Sequence, residues 1–221
     1  MAETLAAPAV KYEHDRAVVR LVGPVTVETI LALCDEVDLA TEYYQYPVVE
    51  LQLASPGGDV AALDHFLSRL AQWRTTPAVI VETLALTQAA SAAAIMLSLG
   101  DIGRRGAYAS AQLVYHDSRT MLPDKTVATR AVLDQCSKSL ADTDSRMLDI
   151  LVSHVWEGCL AKRRDTVELS FPDDPQLEFA HGVALRTQDD LRKVYSELNA
   201  RDRIITPVTA KALFLVDTIL S

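Results

Sequence analysis

An α/β fold with a largely parallel sheet is what the sequence predicts, from three observations. Short apolar runs with strand character alternate along the chain with segments whose apolar residues recur at helical spacing. Glycine and proline punctuate the changes of period, as at Gly23-Pro24 and Ser55-Pro56-Gly57-Gly58. The chain has 221 residues, 49% hydrophobic and 23% charged, enough to bury one large core without disulfide or metal staples. In order, residues 17–21 read as a strand and residues 26–40 as a helix with Val27, Ile30, Leu31, Cys34 and Val37 on its apolar side. Residues 48–53 read as a second strand. Residues 59–73 follow as a helix with Leu63, Phe66, Leu67 and Leu70 on one face. A third strand is expected at 78–81, an apolar helix at 89–99 and a fourth strand at 112–115. Strands alternating with helices favour parallel pairing through right-handed crossovers.

Beyond residue 116 the pattern changes. Residues 123–155 read as one or two long helices, with Val127, Ala131, Leu140, Met147, Leu148 and Leu151 on the apolar side. Pro172, Pro175 and Gly182 break the pattern between 158 and 186, which reads as an irregular insertion with a strand at 166–171. A helix at 189–198 and, over 212–220, a helix end running into a last strand complete the chain.

Composition excludes several classes. The net charge is −9 and the only basic run is Lys162-Arg163-Arg164, so no basic face for nucleic acid is expected. Cys34, Cys136 and Cys159 form no CxxC pair, which fits a reducing compartment. The first residues lack a basic n-region, and no run approaches the ~18 apolar residues of a membrane span. A soluble, cytoplasmic protein is expected. His154, Cys159 and His181 match no zinc spacing, so neither metal nor cofactor is expected.

Four features carry potential chemistry. The Gly57-Gly58 pair after a strand allows a tight turn that bares N–H groups, suited to an oxyanion or a phosphate, and equally to a turn that binds nothing. Ser91 stands among alanines (Thr87-Gln88-Ala89-Ala90-Ser91-Ala92-Ala93-Ala94), which gives a substrate room to approach but also suits plain helix packing. His116 ends a strand and titrates where a general base must, although a lone histidine there is more often structural. Asp202 lies between Arg201 and Arg203, where a solvated salt bridge is the ordinary role.

The order of these four resembles the proteolytic subunit of the Clp protease, the ClpP family of serine peptidases. That family has a Ser-Pro-Gly-Gly turn, a Gly-Gln-Ala-Ala-Ser nucleophile segment, an Ile-His-Gln-Pro base segment and an Arg-Asp acid. The resemblance runs from about residue 17 to 220, broken by one insertion, and is especially close over 200–203 and 215–220. It implies a ClpP/crotonase-like fold, a repeated β-β-α spiral with a protruding handle helix. One peptidase domain, 1–221, would comprise a core at 16–122, a handle at 123–157, an insertion at 158–187 and the rest of the core at 188–221.

By the same resemblance Ser91 would be the nucleophile, His116 the general base and Asp202 the acid, with the backbone N–H groups of Gly58 and Ala92 as the oxyanion hole. Asp165, which also follows an arginine, stays open as the alternative acid. The chain departs from the pattern in several places. Thr87 replaces a glycine, Ala92 a frequent methionine, and Asp117-Ser118 the Gln-Pro pair. Arg119-Thr120-Met121-Leu122-Pro123 stands where the family has the glycine-rich edge that pairs with substrate. The function implied is a self-compartmentalised serine endopeptidase acting on peptides or unfolded proteins. Its partners would be copies of itself in stacked rings and, as a further possibility, an ATPase unfoldase. Arg201 matches an arginine that links ring contacts to the acid. Two alternatives are a non-catalytic ring subunit and an acyl-CoA enzyme of the crotonase fold; a membrane-bound signal-peptide peptidase of similar fold is disfavoured for want of a span.

Overall fold

The computed structural model describes residues 9–13, 15–75, 78–119, 129–163, 165–171, 174–200 and 202–221. Arg201, the edge segment at 120–123 and the start of the expected handle at 123–128 lie outside the described residues. Two compact units are present, one built from residues up to Tyr115 and from Ile204 onward, the other from His116 to Arg203.

The first unit carries a sheet with eight strands among the described residues. Its backbone is β1 (Ala9–Tyr12), β2 (Ala17–Val22), β3 (Val48–Ser55), β4 (Ile80–Ala90), β5 (Arg105–Tyr108) and β10 (Thr218–Leu220), hydrogen-bonded in that order. Strand β6 (Gln112–Tyr115) pairs with β4 and with β9 (Arg203–Ile205). The pairings β2–β3, β3–β4, β4–β5, β4–β6 and β5–β10 are parallel, whereas β1 runs antiparallel to β2. The mixed α/β architecture with a mostly parallel sheet is therefore as the sequence predicts.

Strand β3 shows how the sequence sets the layers. Val49, Leu51, Leu53 and Ser55 are fully buried, and the residues between them are partly exposed. On that outer face Arg16 reaches Glu82 (2.6 Å) and Glu50 (3.4 Å), and Arg20 donates to Gln52 (2.7 Å). Helix α1 (Val27–Asp38) starts on a capping box between Thr26 and Thr29. It buries Ile30, Leu33, Cys34 and Val37, then widens into a π-helical turn, Leu39–Tyr43. Helix α2 (Val60–Trp73) buries Ala62, Leu63, Phe66, Leu70 and Trp73. The two helices are tied at Asp38, which accepts from Trp73 Nε1 (2.7 Å) and pairs with Arg69.

Strand β4 departs from the sequence expectation. It spans eleven residues where a strand at 78–81 and a helix from 89 were expected, and helix α3 (Ala92–Ser98) begins only after Ser91. Alanines at 85, 89 and 90 favour helix on their own, and the partner strands override that preference. Ser55 of β3 pairs with Ala89, and Leu113 and Val114 of β6 pair with Ala89 and Ala90. Strands β1 and β5, four residues each, were not foreseen. Helix α6 (Pro207–Ala212) and strand β10 close the unit much as expected.

In the second unit, helix α4 (Arg130–Val155) is a single helix capped by Thr129. Only its second half is buried, through Met147, Leu148, Leu151, Val152 and Val155. It packs against α5 (Gln188–Asn199), which buries Leu191, Val194, Tyr195 and Leu198. Cross-links line the pair: Arg192 to Ser145 Oγ (3.0 Å) and to Asp149, and Gln188 to Ser153 Oγ (2.9 Å). The expected irregular insertion has a small core of its own. Strands β7 (Val167–Glu168) and β8 (Ala184–Leu185) pair antiparallel, and Leu160, Leu169, Phe171, Leu177, Ala180 and Leu185 are buried. Proline breaks the period of such a segment without preventing burial, which is why its sequence looked structureless.

Candidate active site

Ser91 occupies the turn between β4 and α3 with φ 55° and ψ −124°. That is a left-handed conformation unusual for a residue with a Cβ, and it costs on the order of 1–3 kcal/mol where it is held. The surroundings over-determine it. Ser91 N donates to Val114 O of β6 (2.9 Å), and its carbonyl accepts from Ala94 N (2.9 Å) and Ile95 N (3.2 Å). A serine on a sharp strand-to-helix turn has its hydroxyl projected clear of both elements, as a nucleophile requires. The Ser91 side chain makes no capping bond to α3.

The diglycine turn lies against this serine. A Cβ on Gly57 would stand 2.4 Å from Ala90 O and 2.6 Å from Ser91 Cβ, so only glycine fits. A Cβ on Gly58 would stand 2.0 Å from Val25 O. Val25 N donates to Gly57 O and Asp59 N donates to Val25 O, both at 2.8 Å. This parallel bridge uses the groups flanking Gly58 and leaves the Gly58 N–H turned to the opposite side. Ser55 Oγ, fully buried, accepts from Gly57 N (3.1 Å) and braces the turn. Ala92 is the first residue of α3, where an N–H has no partner within the helix. The arrangement thus sets two backbone donors, Gly58 and Ala92, in the two turns that meet at Ser91.

His116 and Asp202 belong to the second unit. His116 Nδ1 lies 2.6 Å from the backbone carbonyl of Asp117. A carbonyl only accepts, so Nδ1 carries a proton, and in the neutral form of the ring it is Nε2 that keeps the lone pair a general base needs. Partial burial raises the Asp117 carboxyl above its ordinary range, as does Asp144; His116 opposes this and Asp202 adds to it. Asp202 forms an ion pair with Arg119. Among the described residues neither His116 nor Asp202 hydrogen-bonds the other. Asp165, the alternative acid, is exposed.

Sequence reasoning missed three features. One is Arg119, which has no counterpart in the motif. Another is the Asp117 carbonyl, since a backbone acceptor leaves no mark in a sequence. The third is the buried Arg105–Asp217 pair, whose members stand far apart in the chain. Burial pushes the Cys34 thiol up to about 12, so it is no nucleophile. Among the described residues no group of three or more His, Cys, Asp or Glu could hold a metal ion, and no helix is long and apolar enough to cross a membrane.

The family model of Clp protease matches residues 10–157, two thirds of the chain. The chain belongs to the Clp protease family. The match takes in Gly58, Ser91, Ala92 and His116 and ends before Asp202. Membership makes this a protease-type chain of ClpP-like fold, with α4 as the long helix of that fold. No curated protein matches the chain.

Proposed function

We propose that this Clp-family chain is a serine endopeptidase, with Ser91 as nucleophile, His116 as general base and Asp202 as the acid of the triad. The observation that carries the reading is Ser91 held at positive φ on a strand-to-helix turn against the diglycine. Ser91 Oγ attacks the peptide carbonyl carbon while His116 Nε2 takes its proton. The oxygen, now negatively charged, is met by the N–H groups of Gly58 and Ala92. Such donors act on charge that exists only in the transition state, and each is worth about 3 kcal/mol or more. Collapse expels the amine, which takes the proton from His116 and leaves an acyl ester on Ser91. Water, deprotonated by the same imidazole, then hydrolyses the ester.

The substrate is a peptide or an unfolded protein. Clp proteases work as oligomers with Clp ATPases, so stacked rings of this chain, an ATPase partner and a cytoplasmic setting belong to the same reading. A fluorophosphonate probe, which reacts with activated serines, tests this: the assembled protein is labelled at Ser91 and hydrolyses a fluorogenic peptide, and Ser91→Ala loses both. A wild-type assembly that resists the probe overturns the reading. A non-catalytic ring subunit is the second reading, favoured by the pairing of Asp202 with Arg119 rather than with His116. Turnover by the purified protein, or its absence, separates the two.

A further inference from the structure

The second unit holds the base and the acid in an arrangement that serves the base but leaves the acid out. The segment leading from His116 is pinned at two places. Asp117 N donates to Asn199 O at the end of α5 (3.0 Å), and Ser118 N donates to Asp144 Oδ1 of α4 (2.7 Å). Arg119 follows, and its guanidinium closes on the Asp202 carboxylate. At the other end of the same short segment, His116 Nδ1 uses the Asp117 carbonyl. The imidazole is therefore in the tautomer of a base without a carboxylate behind it. What Nδ1 lacks is a hydrogen-bonded carboxylate to stabilise imidazolium once the Ser91 proton has arrived: the Asp117 carboxyl acts on the ring through charge alone, and Asp202 is paired with Arg119.

We propose that Arg119 is a positioning residue that holds the Asp202 carboxylate away from His116, so that the chain carries a latent acid whose release raises catalysis. The inference rests on the triad reading above. It deepens that reading by naming what the acid is bound to before it acts. The two partners of the latch are 62% and 60% exposed, so water and salt screen the pair and it opens readily. When it opens, the carboxylate replaces the Asp117 carbonyl at Nδ1, a charge-assisted hydrogen bond in place of a neutral one.

The test uses the full-length assembled protein. Arg119→Gln removes the latch and Arg119→Lys keeps its charge. The double variant Arg119→Gln with Asp202→Asn removes the acid as well. An exposed pair of this kind shifts a two-state balance by up to about fivefold. Arg119→Gln is thus expected to raise kcat on a fluorogenic peptide two- to fivefold, about the size of that shift, with KM unchanged. Arg119→Lys stays at the wild-type rate, and the double variant loses the gain.

A second readout needs no turnover. In protein carrying isotope-labelled histidine, the Nδ1–H proton resonance of His116 moves downfield in Arg119→Gln and returns in the double variant. An unmoved resonance overturns the latch, and so does a kcat that fails to rise in an active enzyme or a gain that survives loss of Asp202. A moved resonance in a protein that neither turns over peptide nor takes the probe leaves the latch standing and sinks the peptidase reading instead.

Discussion

At the scale of single residues, the turn at Ser91 depends on an absent side chain. Gly57 has φ 89°, and its missing Cβ is what lets β3 end against Ala90 and Ser91. Gly57→Ala meets two costs, a left-handed backbone for a residue with a Cβ and a contact of 2.4 Å with a backbone oxygen that cannot swing aside. A loss of about 2–4 kcal/mol of stability is expected, with the Ser91 turn displaced. Chemical denaturation measures the first part, and probe labelling of the fraction still folded measures the second. Normal labelling at normal stability would show that the close approach does not matter. The diglycine and the serine were legible in sequence because both are local strings whose residue types are dictated by backbone geometry. The arrangement around His116 was not. Its acceptor is a main-chain carbonyl, and the partner of Asp202 is an arginine that follows the histidine by three positions in a segment unlike the family's.

At the scale of elements, the long strand and the long helix show opposite kinds of legibility. The end of β4 could not be read, because alanine's own preference is helical and it is overridden by pairing with β3 and β6, which are remote in sequence. Helix α4 was readable as helical, but not which part of it would be covered. Its second half lies on α5, whereas Val132 and Leu133 in the first half are 37% and 48% exposed. Under the proposed ring assembly, that uncovered half is the part left for another copy. Leu133→Asp removes apolar surface that the unit itself does not bury. The expected outcome is a smaller native mass in solution with helical content unchanged and thermal stability of the protomer within about 0.5 kcal/mol. Loss of helical signal together with mass would mean that Leu133 supports its own chain and not an interface.

At the scale of the molecule, the chain leaves the sheet after β6, builds the second unit, returns to the sheet at β9 and is fastened to it once more at β10. An ion pair reinforces that last fastening. Arg105, fully buried at the start of β5, grips Asp217 with two parallel bonds, Nε to Oδ2 (2.8 Å) and Nη2 to Oδ1 (2.7 Å). The Asp217 carboxylate also accepts from the backbone of Gly103 (2.8 Å) and Arg105 (3.0 Å), just before Thr218 enters β10 beside β5. Burial by itself would raise the Asp217 carboxyl, but the hydrogen bonds and charge of Arg105, with the two backbone donors, hold it below its ordinary value.

A carboxyl lowered in this way binds its proton less readily folded than unfolded. Its contribution to stability is therefore complete above the ordinary carboxylate range and is lost as pH falls through the lower folded value. Asp217→Asn removes that contribution at every pH and leaves the Arg105 guanidinium buried without its counter-charge. At neutral pH this is expected to cost about 3–5 kcal/mol. Thermal unfolding followed from pH 7 into the acid range then separates two accounts. If the carboxylate fastens the last strand, the gap in Tm between wild type and Asp217→Asn is widest at pH 7 and narrows as the wild type is protonated. A gap that stays constant across the acid range would mean that Asp217 acts through shape alone, and that the last fastening to the sheet rests on the packing of Leu213, Leu215 and Val216, all of them buried.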